Sequence, residues 1–304
     1  MDNNILLVAK NVTKSYGSKV ALNDFNLEIP KGTIYGLLGP NGAGKTTFIR
    51  IINQITRPDT GEIFLNNEKL QSKHIAQIGY MPEERGLYKN MKVGEQAVYL
   101  AQLKGLSHQD AVKKLKFWFD KMDIGNWWNK KLSELSKGMG QKIQFIVTVL
   151  HEPDLLIFDE PFSGFDPVNA NLIRDEIIEL RNKGATIIFS THRMESVEEL
   201  CDHVALINKS EKVLDGPIHQ VRNQFKEDKF KVEIEITNPT AMDILTNEYQ
   251  IRDVQHLHGL TSFRVLSHDS GSNQLLNQLI QVGNVREFSE EIPTMNDIFI
   301  NAVK

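Results

Sequence analysis

Eight residues, Gly39-Pro40-Asn41-Gly42-Ala43-Gly44-Lys45-Thr46, constrain this chain more than any other stretch. They satisfy the phosphate-loop pattern G-x-x-x-x-G-K-[ST] and stand between the compact apolar run Ile34 to Leu38 and an amphipathic stretch, Thr46 to Ile55. That stretch carries Phe48, Ile49, Ile51, Ile52 and Ile55 on one helical stripe, before Arg57-Pro58-Asp59-Thr60-Gly61 breaks it. A buried strand, a glycine turn and a helix in that order let successive backbone N–H groups converge on phosphate oxygens, with the positive end of the helix behind them. Lys45 is then expected to reach the β- and γ-phosphates and the Thr46 hydroxyl to bind Mg²⁺. The fold class that follows is α/β, a P-loop core around a parallel sheet.

The second half of such a site needs acids at the end of another buried strand. Leu155-Leu156-Ile157-Phe158-Asp159-Glu160 supplies them: one carboxylate suits the magnesium, and the next suits orienting or deprotonating an attacking water. Thr186 to Phe189 is a further apolar run of the kind a strand buried on both faces requires. Between the two runs lies a punctuated helix, with Asp166 at the N-cap, Pro167 at the first helical position and Gly184 as the stop. Ahead of the loop, Ile5 to Val12 and Asp24 to Ile29 alternate as half-buried strands, an antiparallel N-terminal β element. From about 87 to 150 helical patterns dominate, an inserted helical subdomain. Its three tryptophans, Trp118, Trp127 and Trp128, read as core packing, and Lys113, Lys114 and Lys116 as one solvated helix face.

After Val204 to Ile207, Asp215-Gly216-Pro217 reads as a turn and a domain boundary, dividing the chain into residues 1–216 and an α+β accessory domain, 217–304. In the latter, Phe230 to Ile236 and Thr261 to Leu266 alternate strictly, and Asn273 to Val282 reads as a helix. Thr294, three residues before Asp297, resembles a capping box. His256 and His258, two residues apart, would share one face if they lay in a strand, but they lack a third ligand nearby. The single Cys201 reads as a buried small residue, and no intramolecular disulfide or thiol-rich metal site is available, which fits a reducing compartment. A net charge of −4 excludes a protein that coats nucleic acid through a basic surface. No stretch approaches the roughly 18 to 20 apolar residues that cross a bilayer, so the expected location is cytoplasmic, at a membrane only through a partner.

Further motifs carry a family resemblance. Leu135-Ser136-Lys137-Gly138-Met139 resembles the signature sequence of ATP-binding cassette (ABC) proteins, and Ser190-Thr191-His192 resembles their switch histidine. Ser163-Gly164-Phe165-Asp166 is similar to the family's D-loop, and Tyr16 to its adenine-stacking aromatic. The resemblance covers residues 1 to about 216. It departs at Lys137 and Met139, where glycine and glutamine are commonest. It departs again in Gly79-Tyr80-Met81-Pro82-Glu83-Glu84-Arg85-Gly86-Leu87-Tyr88, where Glu83 aligns with the lid glutamine. Glu83 and the following Arg-Gly-Leu-Tyr resemble the ABC-2 exporter subgroup typified by bacterial sodium-export ATPases, whose chains also end in a small extra domain.

The resemblance implies an ATPase that converts MgATP to ADP and phosphate and drives a separate integral membrane permease. Glu160 would be the general base, His192 the γ-phosphate sensor and Lys45 the neutralising cation. Thr46, Asp159 and Glu83 would hold Mg²⁺. Nucleotide contacts would come from Tyr16, Gly39, Pro40, Asn41, Gly42, Ala43, Gly44, Lys45, Thr46, Thr47 and Glu83, with Ser136 and Gly138 supplied across a head-to-tail dimer of ATPase subunits, homomeric or heteromeric. The segment around Glu84 to Met91 is the expected docking surface. The competing reading, a non-transport ABC ATPase of translation or DNA maintenance, meets two obstacles: the interval from Lys45 to Ser136 holds no sustained heptads, and there is one P-loop.

Overall fold

A computed structural model provides the structure and describes residues 4–84, 86–267 and 271–303; Arg85 of the expected docking segment lies outside the described residues. The chain divides into two compact units, Met1–Ile218 with Ala302–Lys304, and His219–Asn301.

The first unit opens with the long hairpin β1 (Ile5–Tyr16) and β2 (Lys19–Pro30), then β3 (Ile34–Leu38), α1 (Lys45–Ile52), β4 (Thr60–Leu65) and the short β5 (Glu68–Lys69). β1, β2, β4 and β5 make an antiparallel sheet in the order β2-β1-β4-β5. β4 begins inside the stretch whose Pro and Gly read as a plain breaker. Gly61 takes a left-handed φ of 84°, and a Cβ there would meet the Asn11 carbonyl oxygen at 2.3 Å. The chain continues through β6 (Ile78–Met81), α2 (Val93–Leu103), α3 (His108–Lys121), α4 (Lys137–Val149), β7 (Leu155–Asp159), α5 (Pro167–Asn182), β8 (Thr186–Ser190), α6 (Met194–Leu200), β9 (His203–Asn208) and β10 (Glu211–Pro217).

The central sheet has the order β10-β9-β3-β8-β7-β6, parallel except for β10. Every residue of β3, β7 and β8 is buried, as apolar runs covered on both faces require. Between β6 and β7 lie the helices α2 to α4. There Trp118 stands edge-on to Phe145, and Trp128 edge-on to Phe119 at 5.5 Å between centroids. Trp128 also lies flat against Gly94, where a Cβ would meet the indole at 2.5 Å. Lys114 pairs with Glu152 at 2.7 Å, while Lys113 and Lys116 are exposed.

The second unit contains β11 (Lys229–Ile236), α8 (Pro239–Glu248), β12 (Gln250–Leu257), β13 (Leu260–Leu266), α9 (Ser272–Val282) and β14 (Gly283–Glu290); α7 (Ile218–Gln224) precedes them and α10 (Met295–Val303) follows. The βαββαβ order gives an antiparallel sheet, β12-β13-β11-β14. Its core joins Phe230, Val232 and Ile234 of β11 to Phe263 and Val265 of β13 and to Leu245, Leu275 and Leu279 of α8 and α9. Thr294 and Asp297 cap α10 reciprocally: each backbone N–H donates to the other's side chain, at 3.0 and 3.2 Å. His256 Nδ1 sits 3.0 Å from the Thr261 hydroxyl within the hairpin, and no group of three or more His, Cys, Asp or Glu able to hold a metal occurs among the described residues.

Candidate nucleotide site

The site starts from β3, whose burial between β8 and β9 fixes where the chain emerges at Gly39. Gly39 and Gly44 both take positive φ, 148° and 126°; a Cβ would meet the Ile207 carbonyl at 2.2 Å at the first and the Ala21 carbonyl at 2.4 Å at the second. These are close approaches that only glycine permits, and they seat the loop between β9 and β2. Gly44 precedes α1 with no side-chain cap, which leaves the first-turn N–H groups of the helix without side-chain partners. A cavity of about 200 Å³ lies over the loop, lined by Tyr16, Lys19, Ala21, Asn41, Gly42, Gly44, Lys45, Thr46 and Thr47. Pro40 is half-buried, and Ala43 is buried beneath the loop. Tyr16 is 47% exposed, with the Lys14 ammonium 5.5 Å from its ring centroid.

Lys45 folds back over the loop, its Nζ donating to the carbonyls of Gly39 (2.6 Å) and Pro40 (3.2 Å). Burial lowers its pKa, opposed by the carboxylates of Asp159, Glu160 and Glu83, so these three acids stand within electrostatic reach of one ammonium. Asp159 is buried at the end of β7. Burial raises its pKa, and Glu160 and Glu83 push the same way, whereas the neighbouring Ser190 hydroxyl and Lys45 oppose them.

Glu160 leaves the strand with a left-handed φ of 51°, an uncommon conformation for a non-glycine residue. Its N–H donates to the Ser190 carbonyl at 2.8 Å. Its carboxylate accepts from the Thr191 hydroxyl (3.1 Å) and the His192 N–H (2.8 Å), and His192 Nδ1 lies 2.7 Å from it. In β7 and β8 register Asp159 opposite Ser190, which places the acidic pair and Thr191-His192 at one sheet end.

Ser136 is exposed at the N-cap of α4, its Oγ accepting from the Met139 N–H at 3.2 Å. Neither Ser136 nor Gly138 lines the cavity over the P-loop. Gly138 faces Gly164, where the aliphatic stem of Lys137 lies so close that a Cβ would meet its Cε at 2.7 Å. Glu83 is exposed, and the preceding residue is held by α4, Gln144 Nε2 donating to the Pro82 carbonyl at 2.9 Å.

Three positioning residues escape the sequence reading. Gln96, fully buried in α2, takes the Tyr88 N–H at 2.6 Å and returns a hydrogen bond to the Tyr88 carbonyl at 3.3 Å; a polar residue within the apolar stripe Val93, Ala97 and Val98 was its signal. Gln144 gives a similar signal in α4. Ser210 links the loop to β2, its N–H donating to Ala43 O at 3.1 Å and its hydroxyl to Val20 O at 2.8 Å, and nothing in its local sequence marks it.

Both units resemble known proteins. Residues 22–163 match the family described as ABC transporter, and residues 216–303 match the C-terminal domain of DrrA1-3-like ATP-binding proteins. The chain is similar to an uncharacterised ABC transporter ATP-binding protein, YhaQ, of Bacillus subtilis, with 40% identity over 98% of both chains. It is 34% identical to the Nod factor export ATP-binding protein I of Burkholderia lata, over 69% of this chain and 70% of that one. A solved ATP-binding subunit of an ABC transporter superposes with a TM-score of 0.68 and 30% identity, covering 72% of this chain and 93% of that chain.

Proposed function

The chain belongs to the ABC transporter family of ATP-binding subunits, and from that premise we propose how its residues divide the work. The protein hydrolyses ATP as the nucleotide-binding subunit of an ABC-2 type export transporter. A relative named for export favours transport over a role in translation or DNA maintenance. The observation that carries the catalytic reading is that Lys45, which lines the cavity over the glycine loop, feels the carboxylates of Asp159, Glu160 and Glu83 together.

In this reading Glu160 takes the proton of the attacking water. Its carboxylate is aimed by the Thr191 hydroxyl and the His192 N–H, and the charge comes from a side chain that is largely buried. His192, whose imidazole bonds Glu160 while 72% of its side chain is exposed, is placed to exchange that bond for a γ-phosphate oxygen. Lys45 moves from the carbonyls of Gly39 and Pro40 to the phosphates, and N–H groups of the loop and of α1's first turn hold them. The donor set of Asp159, Glu83 and the exposed Thr46 hydroxyl suits Mg²⁺: all are hard oxygens, and Asp159 is an anion made unfavourable by burial and two neighbouring acids. When bound, the ion supplies charge neutralisation at the phosphates. Tyr16 stacks the base. Ser136 and Gly138, away from the P-loop cavity of their own subunit, serve the nucleotide of a second one.

No helix among the described residues is long and apolar enough to cross a membrane, so transport needs a membrane permease, with this subunit at its inner face. The docking surface we assign centres on Tyr88, 56% exposed and fixed by Gln96, with Tyr99 (45%) and Leu103 (65%) exposed on the helix carrying Gln96. Affinity purification of the tagged chain from native membranes tests the reading. An integral membrane protein should copurify and be lost on Tyr88→Ala; purification of the chain without any membrane partner, from gently solubilised membranes, contradicts it.

A further inference from the structure

Lys19 lies beside the base-stacking Tyr16 for a geometric reason. The two residues are directly opposite each other at the closed end of the β1–β2 hairpin, across the turn Gly17-Ser18, so their side chains leave the same face. Lys19 lines the same cavity as Tyr16, Lys45 and Thr46, and its Nζ comes within 3.9 Å of where a Cβ on Gly42 would stand.

The strand that carries it is tied to the P-loop at two points. Ser210 bonds Ala43 O and Val20 O at once, and Gly44 presses on the Ala21 carbonyl. Lys14, the other lysine near Tyr16, is neutralised by Asp59 at 2.7 Å. Lys19 makes no ion pair among the described residues. It is a solvated cation held by its backbone against a phosphate cradle.

We propose that Lys19 is a second phosphate-binding cation, contacting the phosphate chain of the nucleotide from the solvent side of Gly42 while Lys45 contacts it from below. The inference rests on the nucleotide-binding reading of the P-loop. Because the contact is a charge-assisted hydrogen bond at an exposed position, it strengthens nucleotide binding and fades with ionic strength.

The test is equilibrium binding of a fluorescent ATP analogue to the full-length chain, with and without Mg²⁺, at low and high salt. Lys19→Met should weaken binding about three- to tenfold at low salt and Lys19→Glu further, while Lys19→Arg restores it to within about twofold. The deficit should persist without Mg²⁺ and shrink at about 0.5 M salt, where the Debye length is a few Å. Thermal melts matching wild type show that the variants are folded, as expected at an exposed position. Wild-type affinity in Lys19→Glu at low salt overturns the proposal, as does Lys19→Arg binding as weakly as Lys19→Met. Failure of the wild-type chain to bind nucleotide at all would instead overturn the reading beneath it.

Discussion

Asp159 shows how the site stores unfavourable charge at the scale of one residue. Its folded pKa is raised, first by burial and then by Glu160 and Glu83. The folded state therefore holds the proton more tightly than the unfolded one, and stability falls as pH rises through the interval between the two pKa values. The penalty is absent below the ordinary carboxylate value and grows as pH rises above it. Asp159→Asn should accordingly raise the melting temperature of the nucleotide-free protein at neutral pH, an advantage that disappears below the ordinary carboxylate range, while abolishing Mg²⁺-dependent turnover. A scan of melting temperature against pH for both proteins checks the sign. Gly44 makes the opposite case: Gly44→Ala sets a Cβ 2.4 Å from the Ala21 carbonyl at a φ of 126°, so both loop and hairpin must shift. It should cost about 2 kcal/mol or more of stability and most nucleotide binding, measured by denaturant titration and by titration with ATP.

Elements set which parts of this architecture the sequence made legible. β3, β7 and β8 were readable because burial on both faces leaves unbroken apolar runs, and the P-loop and the acidic pair sit at their ends. β12 was not readable: as an edge strand with a bulge between Arg252 and Gln255, it is exposed along nearly its whole length, so no alternation survives. β14, at the opposite edge, is half-buried with a register shift on its partner and gave no clean period either. α8 carries a single buried residue, Leu245. Contacts such as Ser210 with Val20 link residues remote in sequence, beyond what local pattern conveys. In the helical insertion, Gly94 and Trp128 form one joint: Gly94→Ala should destabilise by about 1–3 kcal/mol, through overpacking against the indole. Gln96→Leu should release Tyr88 and lower permease-stimulated ATP hydrolysis more than basal hydrolysis, as compared in proteoliposomes and in detergent-free solution.

For the whole molecule, the proposal that Ser136 and Gly138, which lie outside the lining of the P-loop cavity in the same chain, serve a second subunit's nucleotide implies a shared site. Only dimers are then competent, and the specific activity of the isolated chain should rise with protein concentration until dimers saturate. Ser136→Arg, which sets a bulky cation against the facing nucleotide, should hold activity at the dilute level. Specific activity that stays flat while sedimentation shows monomers throughout would contradict the shared site. The claim on which the rest depends is that Glu160 drives hydrolysis of ATP held by Gly39 to Thr46. The most direct test is phosphate release at saturating MgATP from wild type and Glu160→Gln, with bound ATP measured in the same samples. The expected result is retained ATP with turnover reduced about a hundredfold or more, and Glu160→Gln turning over at close to the wild-type rate would contradict it.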